Sequence, residues 1–263
     1  MMISSTAQSF LRATAERTTH GLVLRRRLPK PFDAARIYAS SEGGLRYLRP
    51  SLKNVDPALL RLATEVVRPG HAVWDIGANM GLFSLAASVA TGRAGYVLAI
   101  EADTMLTDLL RRSADLNQNL TSIDVLPAAV AGQLGVARFH IARRNRSTSH
   151  LHGFGTTQTG GIRMTELVPT VTLDWLATYF RPPDVIKIDV EAAEVGVLTG
   201  GLNVLRKLPT IICEVAGQNS ETVGQLLVDH GYTLLDGDRP KGLRVPLSKA
   251  PPSTLAITGS YLS

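Results

Sequence analysis

The stretch Val73-Trp-Asp-Ile-Gly-Ala-Asn-Met-Gly81 constrains the fold of this chain more than any other. Val73, Trp74 and Ile76 read as an apolar strand, and Gly77, Ala78, Asn79 and Gly81 as a turn of small residues. A helical run follows at once, with Leu82, Phe83, Leu85, Ala86, Ala87 and Val89. Strand, tight turn and helix in that order open the crevice of a parallel sheet where nucleotide-like ligands bind. Gly77 and Gly81 are expected to let the backbone pass close to such a ligand, because a Cβ would collide with it. Asp75 ends the strand, where a carboxylate can meet a cation or a hydroxyl.

The spacing sorts the ligand. A dinucleotide fold needs G-x-G-x-x-G, with its glycines at a pyrophosphate on a helix N-terminus. Counting from Gly77, the other two glycine positions hold Asn79 and Leu82. Asp75 would also set negative charge near a pyrophosphate, and it suits the amine and sulfonium of S-adenosylmethionine better. Glu101 ends the next apolar strand, at the place where an acid bonds ribose hydroxyls. Adenosylmethionine is therefore the expected ligand. A nicotinamide-dependent oxidoreductase and a catalytically silent adenosylmethionine-binding module are the alternatives.

A chain of 263 residues, 44% of them hydrophobic, suits one sizeable α/β domain with short additions. Cys213 is the only cysteine, which rules out a disulfide within the chain and points to a reducing compartment. The net charge of +6 is concentrated early: Arg12, Arg17, Arg25, Arg26, Arg27 and Lys30 face only Glu16, and the rest is near neutral. This is a basic N-terminal arm (residues 1–35) able to touch an anionic membrane surface, and it does not predict a nucleic-acid partner. No apolar stretch is long enough for a signal-peptide core or a membrane span, so a cytoplasmic protein is expected.

Residues 36–72 read as a helical cover, with an apolar stripe of Leu59, Leu60, Leu62, Ala63 and Val66 that stops at Pro69-Gly70. Residues 73–263 form the main domain, where strand and helix patterns alternate. Strands are expected at 72–76, 95–101, 123–130, 135–141, 184–190, 209–215, 232–236 and 254–258, and helices at 80–90, 104–117, 172–180, 192–206 and 219–230. Repeated βα units predict a Rossmann-like, doubly wound α/β fold, with a mostly parallel sheet of about seven strands. Residues 143–168 break the rhythm. They are polar and glycine-rich, from Arg143 through Arg146 and His150 to Gly161, and are expected to form a lid.

A second constellation lies at Asp184-Val-Ile-Lys-Ile-Asp-Val-Glu-Ala-Ala-Glu194. Ile186, Ile188 and Val190 alternate with Lys187, Asp189 and Glu191. Buried strands of parallel sheets read as continuous apolar runs, so these charges require pairing near the strand end. Asp189 is the candidate base. Glu191 supports it, Glu214 points to the same rim, and Glu194 sits where a helix start favours an acid. If a hard cation takes part, Asp189, Glu191 and Glu214 would hold Mg²⁺. His150 and His152 in the lid are alternative bases.

In these segments the chain resembles the FkbM-type S-adenosylmethionine-dependent methyltransferases. The resemblance rests on Asp75-Ile-Gly-Ala-Asn-Met-Gly-Leu-Phe-Ser84, Ile100-Glu101, Leu173-Asp174, Ile186-Lys-Ile-Asp-Val-Glu191, Ala193-Glu194 and Glu214. It implies the class I methyltransferase fold and O-methylation of a hydroxyl on a small-molecule or glycan acceptor. The donor would be held by Asp75, Gly77, Ala78, Asn79, Gly81, Ser84, Glu101, Ala102 and Ala129, and Asp189, Glu191 and His150 would serve the chemistry. Two positions depart from the family pattern: Ala102 stands for the usual proline after the acid, and Ala192 for the usual glycine after Asp-Val-Glu.

Overall fold

The computed structural model describes residues 18–19, 21–155 and 160–259. A hairpin of β1 (Val23–Arg27) and β2 (Arg36–Ser40) leads through short 3-10 turns to α1 (Pro57–Val66). Then come β3 (Ala72–Ile76), α2 (Leu82–Thr91), β4 (Tyr96–Glu101), α3 (Thr104–Leu116), β5 (Ile123–Pro127), β6 (Ala129–Val130), β7 (Gly135–Ala142), β8 (His150–Leu151) and β9 (Ile162–Val171). The remaining elements are α4 (Leu173–Tyr179), β10 (Val185–Ile188), α5 (Glu194–Thr199), α6 (Leu202–Leu205), β11 (Thr210–Glu214), α7 (Ser220–Asp229), β12 (Thr233–Asp236) and β13 (Ser253–Ile257).

The main sheet has seven strands in the order β12-β13-β11-β10-β3-β4-β5. Every pair from β11 to β5 is parallel, and β13 runs antiparallel to both of its neighbours. This is the doubly wound, mostly parallel α/β fold that the alternating signals predict. β3 lies between β4, its successor in the main sheet, and β10, which is reached by a long crossover. The winding reverses there and opens a crevice at the carboxyl ends of the strands. Successive strand residues feed opposite faces. Val73, Val97, Val185 and Ile212 join the core under α1, α2 and α3, whereas Trp74, Leu98, Ile186 and Ile211 join the core under α4 to α7. Each such aliphatic side chain contributes about 1.5–3 kcal/mol on full burial.

A smaller four-stranded sheet, ordered β6-β9-β7-β8, stands beside the crevice. Its inner face carries Phe139, Ile141, Leu151 and Val168 against Ala102 and Ala129. The segment expected as a lid contributes β8 and residues 162–168 of β9 to this sheet. β8 and β9 flank β7, and Arg146–Thr148 is a short 3-10 turn. Residues 156–159 of that segment lie outside the described residues.

The N-terminal expectations also shift. Arg12 and Arg17 lie outside the described residues, but Arg25, Arg26 and Arg27 belong to β1 and pair with β2. Arg26 Nη2 donates to the carbonyls of Leu48 and Arg49, and β2 docks on α3, where its Arg36 and Tyr38 N–H groups donate to Asn117 Oδ1 and Ser113 Oγ. The cover at 36–72 therefore holds a strand and 3-10 turns ahead of its one α-helix. The helix expected at 192–206 is interrupted at Gly200-Gly201, where two helix-weakening residues fall together. Among the described residues no helix is long and apolar enough to cross a membrane.

Candidate active site

The turn after β3 is fastened to the next strand. The N–H groups of Gly77 and Ala78 both donate to Ile100 O, at 2.9 and 3.0 Å. Gly77 has φ +71°, and a Cβ there would lie 1.8 Å from Asp189 O, which shows that the neighbouring β10 end demands glycine. At Gly81, φ is +89° and a Cβ would lie 2.2 Å from Leu110 Cδ1, so this glycine lets α3 pack on the start of α2. Both glycines are required by protein neighbours, and Gly77 also lines the crevice.

Asp75 is also displaced from its expected role. It is fully buried, on the same side of β3 as Val73, and faces protein. Ser84 Oγ donates to its Oδ2 at 2.5 Å, and Lys187 Nζ lies 3.2 Å from its Oδ1. Lys187 Nζ also donates to Gly77 O at 2.6 Å and sits 3.5 Å from Asp189 Oδ2. Burial works against the Lys187 ammonium, but Asp75 and Asp189 outweigh it and hold its pKa above the ordinary lysine range. Asp75 and Ser84 thus brace the floor of the site from below. Ala78 is buried against Ala99 and Leu110, so neither it nor Gly81 reaches the crevice surface.

Two cavities open above this floor. The first is lined by Gly77, Asn79, Glu101, Ala102 and Ala129 together with apolar Ile100, Leu106 and Phe139. Glu101 is buried, and both of its carboxylate oxygens accept backbone N–H groups, Oε2 from Asn79 at 2.7 Å and Oε1 from Asp103 at 2.8 Å. Burial pushes its pKa up to about 7, against the pull of those two bonds. Each oxygen keeps a lone pair for a ribose hydroxyl, and the mixed apolar and acidic lining fits the adenosyl group of the expected donor.

The second cavity is larger and is walled by the 3-10 turns and α1 on one side and by the ends of β10 and β11 on the other. Charged side chains are prominent in it: Arg46, Arg49, Asp56, Lys187, Asp189 and Glu214. Asn79, Ser147, Asp189 and Glu191 line both cavities, and this is where the two spaces meet. Asp189 is set in place by its N–H, which donates to Ile76 O at 3.0 Å. Burial and the nearby Asp189 raise the Glu191 pKa to about 7, and Glu214 reaches about 7 through Asp189 and burial.

Other expected residues separate from this junction. Among the described residues no three His, Cys, Asp or Glu side chains are arranged to hold a metal ion, so Asp189, Glu191 and Glu214 do not form the Mg²⁺ site considered from sequence. His150 lines neither cavity. In the β7–β8 pairing Phe139 and Leu151 face inward, which turns His140 and His150 to the outer face, their rings 5.7 Å apart. His152 joins them there through a 2.9 Å contact with His140. Glu194 is buried as a brace: its oxygens accept from Ala192 N–H and from Asn219 Nδ2. The wall residues Arg146, Ser147 and Ser149 carry no local sequence signal beyond a polar loop. Only the placement of the turn under β7 brings them to the cavity.

The chain matches the family model of the Methyltransferase FkbM domain over residues 75–234. No curated protein matches it. Among solved structures it is similar to the precorrin-6y C5,15-methyltransferase of Geobacter metallireducens, with 14% identity, a TM-score of 0.44, and coverage of 77% of this chain and 86% of that one. It is also similar to a SAM-dependent methyltransferase of Agrobacterium tumefaciens, with 12% identity, a TM-score of 0.45, and coverage of 90% and 69%.

Proposed function

Because the chain belongs to the FkbM methyltransferase family, and methyl transfer from S-adenosylmethionine follows from that membership, we propose that it methylates a hydroxyl oxygen of a polar, sugar-like acceptor. One observation carries this reading: a cavity suited to the adenosyl group and a large charged cavity meet at Asp189. The donor occupies the first, with Glu101 gripping its ribose. The acceptor occupies the second, whose abundance of charged and polar groups favours a polyhydroxylated molecule over a lipophilic one.

The donor is already activated, so alignment supplies most of the rate. A lone pair of the acceptor oxygen forms the new C–O bond as the C–S bond breaks, and the sulfur leaves with that electron pair as adenosylhomocysteine. The hydroxyl proton passes to the Asp189 carboxylate, whose approach Lys187 steadies from 3.5 Å. A reducing, cytoplasmic setting accompanies this reading, since the one cysteine, Cys213, is buried as a free thiol.

The test is incubation with deuteromethyl adenosylmethionine and a panel of free and nucleotide-linked sugars, followed by mass spectrometry. The expected product carries one deuteromethyl group on oxygen, and Asp189→Asn lowers its formation at least tenfold. A label found on nitrogen or carbon, or turnover unchanged by Asp189→Asn, would overturn the reading.

A further inference from the structure

Arg146 follows the basic loop residues Arg143 and Arg144, yet it is only 8% exposed. Its guanidinium grips Asp103 with two prongs: Nε donates to Oδ2 at 2.7 Å and Nη2 to Oδ1 at 2.8 Å. Asp103 is fully buried and does two further things. Its Oδ1 accepts the N–H groups of Met105 and Leu106, which caps α3, and its own N–H donates to Glu101 Oε1 at 2.8 Å. A continuous chain of polar contacts therefore runs from Arg146 through Asp103 to the carboxylate placed for the ribose.

The turn that carries Arg146 is also the partition between the two cavities. Arg146 and Ser149 line the first, Asn145 and Thr148 line the second, and Ser147 lines both. A buried guanidinium costs desolvation that only a well-formed fork to a carboxylate offsets. Lysine lacks that fork and cannot hold the same geometry. Charge matters as well. A lone guanidinium lining this cavity would repel a sulfonium donor, and Asp103 cancels it.

We propose that Arg146 is a positioning residue for the donor: by clamping Asp103 it holds the Glu101 carboxylate against the ribose and fixes the wall between donor and acceptor. The proposal rests on the reading that the donor ribose sits at Glu101.

Titration calorimetry with adenosylhomocysteine and with its 2′-deoxyribose analogue tests it, on the wild type, Arg146→Lys and Arg146→Gln. The wild type is expected to prefer the ribose form by about tenfold, the value of one hydrogen bond to a carboxylate. Arg146→Gln should shrink that preference to about twofold, with Arg146→Lys in between and the deoxy analogue little affected. If both ligands weaken in parallel and the ratio stays at the wild-type value, Arg146 is merely structural and the proposal is overturned. Should Arg146→Gln fail to fold, the ratio in Arg146→Lys decides alone. Wild-type protein that binds neither ligand would overturn the donor reading itself. Wild-type protein that binds both equally would overturn only the Glu101–ribose contact, and this proposal with it.

Discussion

Asp75 and Lys187 stand side by side in register on β3 and β10, and their side chains meet as a buried ion pair 3.2 Å long. The pair lies beneath the point where the turn after β3 touches the end of β10. From there Lys187 reaches Gly77 O and Asp189. One buried ammonium thus ties the turn after β3 to the candidate base.

Removing Lys187 leaves the Asp75 carboxylate buried and uncompensated. Lys187→Met is expected to lower stability by about 3–5 kcal/mol in urea denaturation. The double variant Asp75→Asn with Lys187→Met should regain a large part of that loss, because a neutral replacement of the whole pair carries no stranded charge. Equal instability of the single and double variants would show that packing, and not charge, sets the cost.

Glu101→Gln replaces one acceptor oxygen with an amide that repels a backbone N–H now bonded at 2.7 or 2.8 Å. It also removes the charge from the proposed ribose contact. Adenosylhomocysteine affinity is expected to fall about 10–100-fold, in line with the ~1.5–3 kcal/mol of a charged hydrogen bond. Unchanged calorimetric affinity would place the ribose elsewhere.

Glu191 gives a pH signature. Burial, then Asp189 and Glu214, raise its folded pKa from 4.5 to about 7. The folded state therefore holds a proton that the unfolded chain has released, and stability falls as pH rises between those values. The contribution is intact below about pH 4.5 and lost above about pH 7. Glu191→Gln, permanently neutral, should melt with the wild type near the lower limit and above it at about pH 8. A melting difference that does not change with pH would contradict this account.

Ala192 holds φ +76° where the family pattern has glycine, directly after Glu191 at φ +50°. A left-handed conformation costs an L-residue about 1–2 kcal/mol, and glycine gives back about 0.5–1 kcal/mol through its freer unfolded chain. Ala192→Gly should thus raise stability by about 0.5–1 kcal/mol without moving donor affinity, and Ala192→Val should lower stability. Denaturant midpoints for both variants check this.

The chain order and type of the main-sheet elements, the turn after Trp74, Glu101 at the first cavity and Asp189 where the two cavities meet are legible in the residues alone. These features are local: strand alternation, helical spacing and small turn residues act within a few positions of themselves. Tertiary structure decided the rest. It sank Asp75 below the floor, because register with β10 gave it Lys187. It turned His150 outward, because pairing with β7 assigned the inner face to Leu151. It made a strand of the arginine-rich Val23–Arg27, because β2 supplied a partner, and it buried Arg146, because Asp103 lies 43 positions away. Each of these outcomes depends on which distant group completes a hydrogen bond or neutralises a charge, and residue type and spacing carry no such information until the chain has closed on itself.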